Sequence, residues 1–124
     1  MPKNKILLVE DEAAIVDMVK RRLEAHEYEV IVAVDGVEGL DKARKENPDL
    51  IILDLMLPKM DGCKVNALLK CDEKYKHIPI IIFTACAIEK DEKLGFEYGA
   101  DAYITKPFDA QALLAKIKEL LEKK

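Results

Sequence analysis

The sequence predicts an α/β protein built on a parallel sheet with helices on both faces. Five short β-rich apolar runs recur along the chain, helix-length segments separate and follow them, and the fourth run, Ile80-Ile81-Ile82-Phe83, is apolar without interruption. Strands that alternate with helices read as successive right-handed βαβ crossovers. A sheet covered on both sides makes its strands uniformly apolar rather than alternating.

In chain order, strands are expected at Ile6 to Val9, Val30 to Val34, Leu50 to Leu53, Ile80 to Phe83 and Ala102 to Thr105. A first helix is expected from Ala13 to Ala25, with Ile15, Met18, Val19 and Leu23 on one apolar stripe. Asp35 with Glu38 three residues on is an aspartate form of the capping box ahead of Leu40 and Ala43, and Asn47-Pro48 stops that second helix. A third helix is expected from about Asp61 through Leu69, and a less regular fourth around Glu89 to Tyr98, ending near Gly99. Leu113, Ile117, Leu120 and Leu121 form the stripe of a fifth. No composition shift, Gly/Ser linker or low-complexity tract divides the sequence, so one domain over residues 1–124 is expected.

Composition narrows the function. The 124 residues are 50% hydrophobic and 35% charged, a balance that excludes collagen-like, disordered and membrane-spanning classes. Twenty Lys+Arg against 24 Asp+Glu leave a net charge of −4, which a phosphate backbone or anionic membrane would repel. Direct contact with nucleic acid or membrane is therefore not expected. The longest apolar stretch, Ile78 to Ile88, is interrupted by Pro79 and Thr84 and falls short of the ~20 residues that span a bilayer. Only Ile6 to Val9 precede Glu10, whereas a secretory signal needs an apolar region of about 7–15 residues, so a cytoplasmic protein is expected. Cys63, Cys71 and Cys86 are odd in number and lack metal-ligand spacing, which makes them buried small hydrophobes in expectation. His26 and His77 are isolated at expected surfaces, and neither looks catalytic.

In an open parallel sheet, ligands sit outside the carboxyl ends of the strands, where the strand order reverses. The first strand finishes in Glu10-Asp11-Glu12, the third in Asp54, the fourth in Thr84 and the fifth in Lys106-Pro107. If strands one and three are neighbours, Glu10, Asp11 and Asp54 crowd like charges that a divalent cation would compensate. Oxygen-only ligands at an exposed strand end suit Mg²⁺ better than zinc. A carboxylate beside a metal, a hydroxyl and an ammonium is also what phosphoryl transfer needs. On this reading Asp54 is the nucleophile, Asp11 chiefly holds the metal, Glu10 supports it directly or through water, Lys106 contacts one phosphoryl oxygen and Thr84 donates to another. Singly, each has an ordinary explanation: acids near a helix start, a turn-opening aspartate, a β-branched strand residue, a surface lysine. Four of five strands supplying a suitable group at one end is the stronger observation.

Four motifs stand in order: Ile6-Leu7-Leu8-Val9-Glu10-Asp11-Glu12; Asp54-Leu55-Met56-Leu57-Pro58-Lys59-Met60-Asp61-Gly62; Phe83-Thr84-Ala85; and Gly99-Ala100-Asp101-Ala102-Tyr103-Ile104-Thr105-Lys106-Pro107-Phe108. Together they resemble the receiver domain of bacterial two-component response regulators, over essentially the whole chain. The resemblance implies a flavodoxin-like, doubly wound five-stranded sheet of order 2-1-3-4-5 with five helices. It implies transfer of a phosphoryl group from a sensor histidine kinase, or a phosphotransfer protein, to Asp54. It implies magnesium held by Glu10, Asp11, Asp54 and the backbone carbonyl of Met56. Thr84 and Lys106 match the phosphoryl-sensing pair, Tyr103 the switch aromatic, and a cis bond is expected between Lys106 and Pro107. An added phosphoryl group would draw Thr84 and its loop inward, and the ring of Tyr103 would follow. A downstream target protein would then meet the face formed by the predicted fourth helix, the fifth strand and the fifth helix. Tyr103 is equally readable as a half-buried strand tyrosine. Met56 and Cys86 flank the expected path of an attacking water, and neither orients water well, so slow self-dephosphorylation is expected.

Two enzyme-like readings fit less well. A nucleotide or flavin site would place Gly, Ser or Thr after the first strand, where this chain has Glu10-Asp11-Glu12. An aspartyl phosphatase of the haloacid-dehalogenase type needs an acid two residues after the nucleophile, where Met56 stands. The reading is therefore a phosphoacceptor switch rather than an enzyme that turns over a substrate. A receiver-shaped binding module without phosphorylation is disfavoured by the acid, hydroxyl and lysine positions. Because Lys123-Lys124 directly follow the fifth helix, the chain is expected to act alone, docking onto a target or passing its phosphoryl group along a relay.

Overall fold

The computed structural model describes residues 3–54, 57, 59–60, 62–84, 101–105 and 109–122, with Cys63, Thr84, Tyr103 and Thr105 described through their backbone. The five apolar runs form β1 (Lys5–Val9), β2 (Glu29–Ala33), β3 (Leu50–Asp54), β4 (Ile80–Thr84) and β5 (Ala102–Thr105). All adjacent pairs are parallel, in the order β2-β1-β3-β4-β5. The chain steps outward from β1 to β2, then crosses back to β3, so the order reverses between β1 and β3. Four helices lie among the described residues: α1 (Ala13–Ala25), α2 (Gly36–Glu46), α3 (Gly62–Lys70) and α4 (Ala110–Glu122), the last being the fifth helix of the sequence reading. The helix expected over 89–98 falls outside them. None of the described helices is long and apolar enough to cross a membrane.

Alternation along each strand divides the core in two. Leu7, Val9, Ile51, Leu53, Ile80 and Ile82 face Leu40 and Ala43 of α2 and Val65 and Leu69 of α3. Ile6, Leu8, Leu50, Ile52, Ile81 and Phe83 face Val19 and Leu23 of α1 and Leu113, Ile117 and Leu120 of α4. Burial on both faces is why these runs show no polar alternation.

Three local expectations are corrected. Met18, placed on the buried stripe of α1, is exposed, and Val16 packs in its stead beside Ile15, Val19 and Leu23. At roughly 100° per residue, Met18 lies about 100° from the centre of the Ile15–Val19–Leu23 stripe, whereas Val16 lies closer. Val34, expected at the end of β2, lies beyond the strand and is exposed, because Ala33 makes the last pair with β1. Cys71, expected to be buried, is an exposed free thiol just past α3, while His26 and His77 are exposed as expected.

The start of α2 follows the capping pattern with one difference. The Glu38 N–H donates to Asp35 Oδ1 at 2.8 Å, while Glu38 Oε1 accepts from the Val34 N–H at 2.7 Å, one residue ahead of the capping position. At the other end Asn47 is left-handed (φ 49°), which turns the chain into Pro48. The amino ends of the strands are tied by side chains. Lys5 N–H donates to Asp49 Oδ2 at 2.7 Å. Lys70 Nζ donates to the Ile78 carbonyl at 2.7 Å and to Asp101 Oδ2 at 2.8 Å, and the Ile80 N–H meets the same Asp101 oxygen at 2.8 Å.

Candidate metal and phosphoryl site at the strand switch point

The site grows out of the β1–β3 junction. The register Val9↔Leu53 brings the residues that follow, Glu10 and Asp54, to the same level of neighbouring strands. Glu10 extends the sheet by donating its N–H to the Ala33 carbonyl at 3.0 Å. Counted by twos, Glu10 continues the Ile6 and Leu8 row and Asp54 the Leu50 and Ile52 row, and both of those rows face the same side. Glu10 is wholly buried and Asp54 is 3% exposed, whereas Asp11 is exposed.

A carboxylate oxygen from each of Glu10, Asp11 and Asp54 lies within 4.8 Å of the others. Glu10 Oε2 also accepts the Glu12 N–H at 3.1 Å, at the capping position of α1, which fixes that carboxylate. Two unit charges at such a distance repel by about 3 kcal/mol at an effective dielectric of 20, an upper figure for pairs that include the solvated Asp11. The donor set is oxygen-only, convergent and open to water on the Asp11 side, which fits a hard divalent cation.

Of the other expected site residues, Thr84 closes β4 opposite Thr105, and Asp54 lies opposite Phe83. The backbone therefore puts Thr84 one residue beyond the level of Asp54 on the adjacent strand. Tyr103 lies on β5 opposite Ile82. Met56, Cys86, Lys106 and the Lys106–Pro107 bond lie outside the described residues.

In the sequence Asp35 reads only as a helix cap, and the structure gives its carboxylate a second contact. Asp35 Oδ2 lies 3.5 Å from Lys59 Nζ, in the segment that follows Asp54. The Glu38 backbone N–H first, and then the Lys59 ammonium, hold the Asp35 carboxyl below its ordinary pKa against the opposing effect of its burial. Lys59 itself is left-handed (φ 67°). A lysine in that position is a signal only once the fold brings residues 35 and 59 together.

Comparison with known proteins agrees with this geometry. The family model described as "Response regulator receiver domain" matches residues 6–118. The chain is 45% identical over 119 residues to the DNA-binding dual master transcriptional regulator RpaA of Synechocystis, covering 96% of this chain and 49% of that protein. It is 46% identical over 119 residues to the alkaline phosphatase synthesis transcriptional regulatory protein PhoP of Bacillus subtilis, again covering 96% and 49%. The crystal structure of a putative response regulator from Chloroflexus aurantiacus superposes with a TM-score of 0.93 at 32% identity, covering 97% of this chain and 98% of that one. The chain thus spans about half the length of the curated relatives it matches. The expectation of no nucleic-acid contact accordingly concerns this chain's own surface and does not extend to a longer protein. Receiver domains accept a phosphoryl group on an aspartate and interact with histidine kinases. With its acidic residues gathered at the β1–β3 switch point and the family pattern running from residue 6 to 118, this chain belongs to the response regulator receiver domains.

Proposed function

We propose that Asp54 is the phosphoacceptor of a Mg²⁺-dependent signalling switch, and that residues 1–124 form one receiver unit. The observation that carries this reading is the convergence of the Glu10, Asp11 and Asp54 carboxylates at the strand switch point. Bound there, Mg²⁺ would neutralise charge on the phosphoryl oxygens. Glu10 and Asp11, with the Met56 carbonyl, are the residues that would hold it beside Asp54. An Asp54 carboxylate oxygen attacks the phosphorus of a kinase's phosphohistidine, the P–N bond breaks, and the imidazole leaves with the bonding pair. The product is an acyl phosphate on Asp54. Lys106 pairs with one phosphoryl oxygen and the Thr84 hydroxyl donates to another, so the chain responds to the added charge.

Movement of Thr84 and Tyr103 then alters the face that includes β5 and α4, where a target protein docks. The family membership favours action in the cytoplasm. In a longer protein arranged like RpaA, the same switch would govern a DNA-binding portion.

The test is intact mass after incubation with Mg²⁺ and a small acyl phosphate donor. Wild type should gain one phosphoryl group and Asp54→Asn none. An adduct that persists in Asp54→Asn would move the phosphoacceptor elsewhere. No adduct on either protein would leave a receiver-shaped binding module.

A further inference from the structure

The amino end of α2 lies between the two segments that build the acidic site. On one side, Gly39 packs so closely on β1 that a Cβ there would stand 2.8 Å from Val9 Cγ1, and Val9 precedes Glu10. On the other side, a Cβ on Gly36 would stand 1.8 Å from the Met60 carbonyl oxygen and 2.6 Å from its carbon. That neighbour is backbone and cannot rotate away, so only glycine fits. The Met60 carbonyl thus rests against the bare Cα of Gly36. One residue earlier, the Asp35 carboxylate divides its oxygens: Oδ1 caps α2 through the Glu38 N–H at 2.8 Å, and Oδ2 faces Lys59 Nζ at 3.5 Å. Lys59 holds a left-handed backbone (φ 67°) that costs a non-glycine residue about 1 kcal/mol or more and persists only where its surroundings fix it.

We infer that Asp35 and Gly36 are positioning residues for the metal site, seating the Lys59-Met60 backbone, in the segment that follows Asp54, against α2. This rests on the function proposed above, in which that stretch supplies a metal ligand through the Met56 carbonyl. The fit at Gly36 is the larger effect, because it involves two pieces of backbone. The Asp35–Lys59 pair is the smaller, because the Lys59 side chain is 68% exposed.

The experiment measures Mg²⁺ affinity by calorimetry on the whole chain, alongside the metal-free melting temperature. Gly36→Ala should weaken Mg²⁺ binding about tenfold, as loss of an outer supporting contact does. Ala43→Gly, which loosens the buried face of α2 about two turns beyond Gly36 and makes none of these contacts, should lower the melting temperature while leaving the Mg²⁺ Kd within about twofold. Asp35→Asn keeps a capping oxygen and loses the charge, so it and Lys59→Met should each weaken binding about two- to fourfold, and the double variant no further than either alone. Should Gly36→Ala fail to fold, this second pair decides. Variants that bind Mg²⁺ as tightly as wild type would overturn the positioning role alone. A wild-type chain that binds no Mg²⁺ would overturn the functional reading and this inference with it.

Discussion

Glu10 and Asp54 are carboxylates at the ends of strands whose other residues are almost wholly apolar and buried. Such groups persist in a core only with partners, and Glu10 has the Glu12 N–H. Asp35 shows how one side chain links stability to pH. Its folded pKa is lowered, by the Glu38 N–H first, so its stabilising contribution is complete above the unfolded pKa of about 4 and is lost as pH falls through the folded value. Asp35→Asn should therefore flatten the acid limb of the stability curve below about pH 4, read by urea unfolding across that range. A variant curve as steep as wild type would contradict the assignment. At Met56 the expectation concerns lifetime: Met56→Asn should speed decay of the aspartyl phosphate, followed by intact mass after donor removal, and unchanged decay would remove that role. The acids and Asn47 were legible in the sequence because their cues are local: a strand end, a capping spacing, a stop before proline. The pairing of Asp35 with Lys59 was not, because it depends on two loops meeting in space.

At the level of elements, the described strands and helices emerged from period and punctuation almost to the residue, and the error in α1 fell at the edge of its apolar stripe. Met18 and Val16 flank the same stripe, and Val16, about 60° from its centre against about 100° for Met18, is the one covered. The tie formed by Lys70 was also invisible, since a terminal helix lysine ordinarily points to water. Here its side chain is 13% exposed and joins α3 to the starts of β4 and β5 through Ile78 and Asp101. Lys70→Met should cost about 1–3 kcal/mol in denaturant unfolding, because the buried Ile78 carbonyl loses its charged donor and the Asp101 carboxylate, still bonded to the Ile80 N–H, loses its cation. Lys116→Ala, which breaks only a solvated pair with Glu119 on α4, should change stability by less than about 0.5 kcal/mol. Equal losses in the two variants would mean that Lys70 is an ordinary surface lysine.

For the whole molecule, a cation bound at the acidic cluster would couple folding to ligand binding. Three carboxylates gathered within 4.8 Å repel one another, and a cation bound among them would offset that repulsion. Saturating Mg²⁺ at about 100 times its Kd should stabilise wild type by about 2.7 kcal/mol, seen as a rise in melting temperature. In metal chelator, Asp11→Asn should be as stable as wild type or more so by up to about 1 kcal/mol, and it should lose most of the Mg²⁺ response. A full Mg²⁺ response in Asp11→Asn would remove that residue from the metal site. The parallel sheet with helices on both faces was readable at this scale because connection rules leave few topologies open, whereas its order and switch point followed from the family resemblance. Which surface meets a partner was not readable, because exposed positions carry no packing signal.

The sheet's second hydrophobic face is closed by helices from opposite ends of the chain, α1 and α4. During synthesis, Ile6, Leu8, Leu50 and Ile52 therefore leave the ribosome long before Leu113, Ile117 and Leu120 can cover them. At roughly 5–20 residues per second, that delay is several seconds between the emergence of β3 and the arrival of the covering helix. The nascent chain spends those seconds with this flank covered from the α1 side alone, a natural moment for chaperone capture.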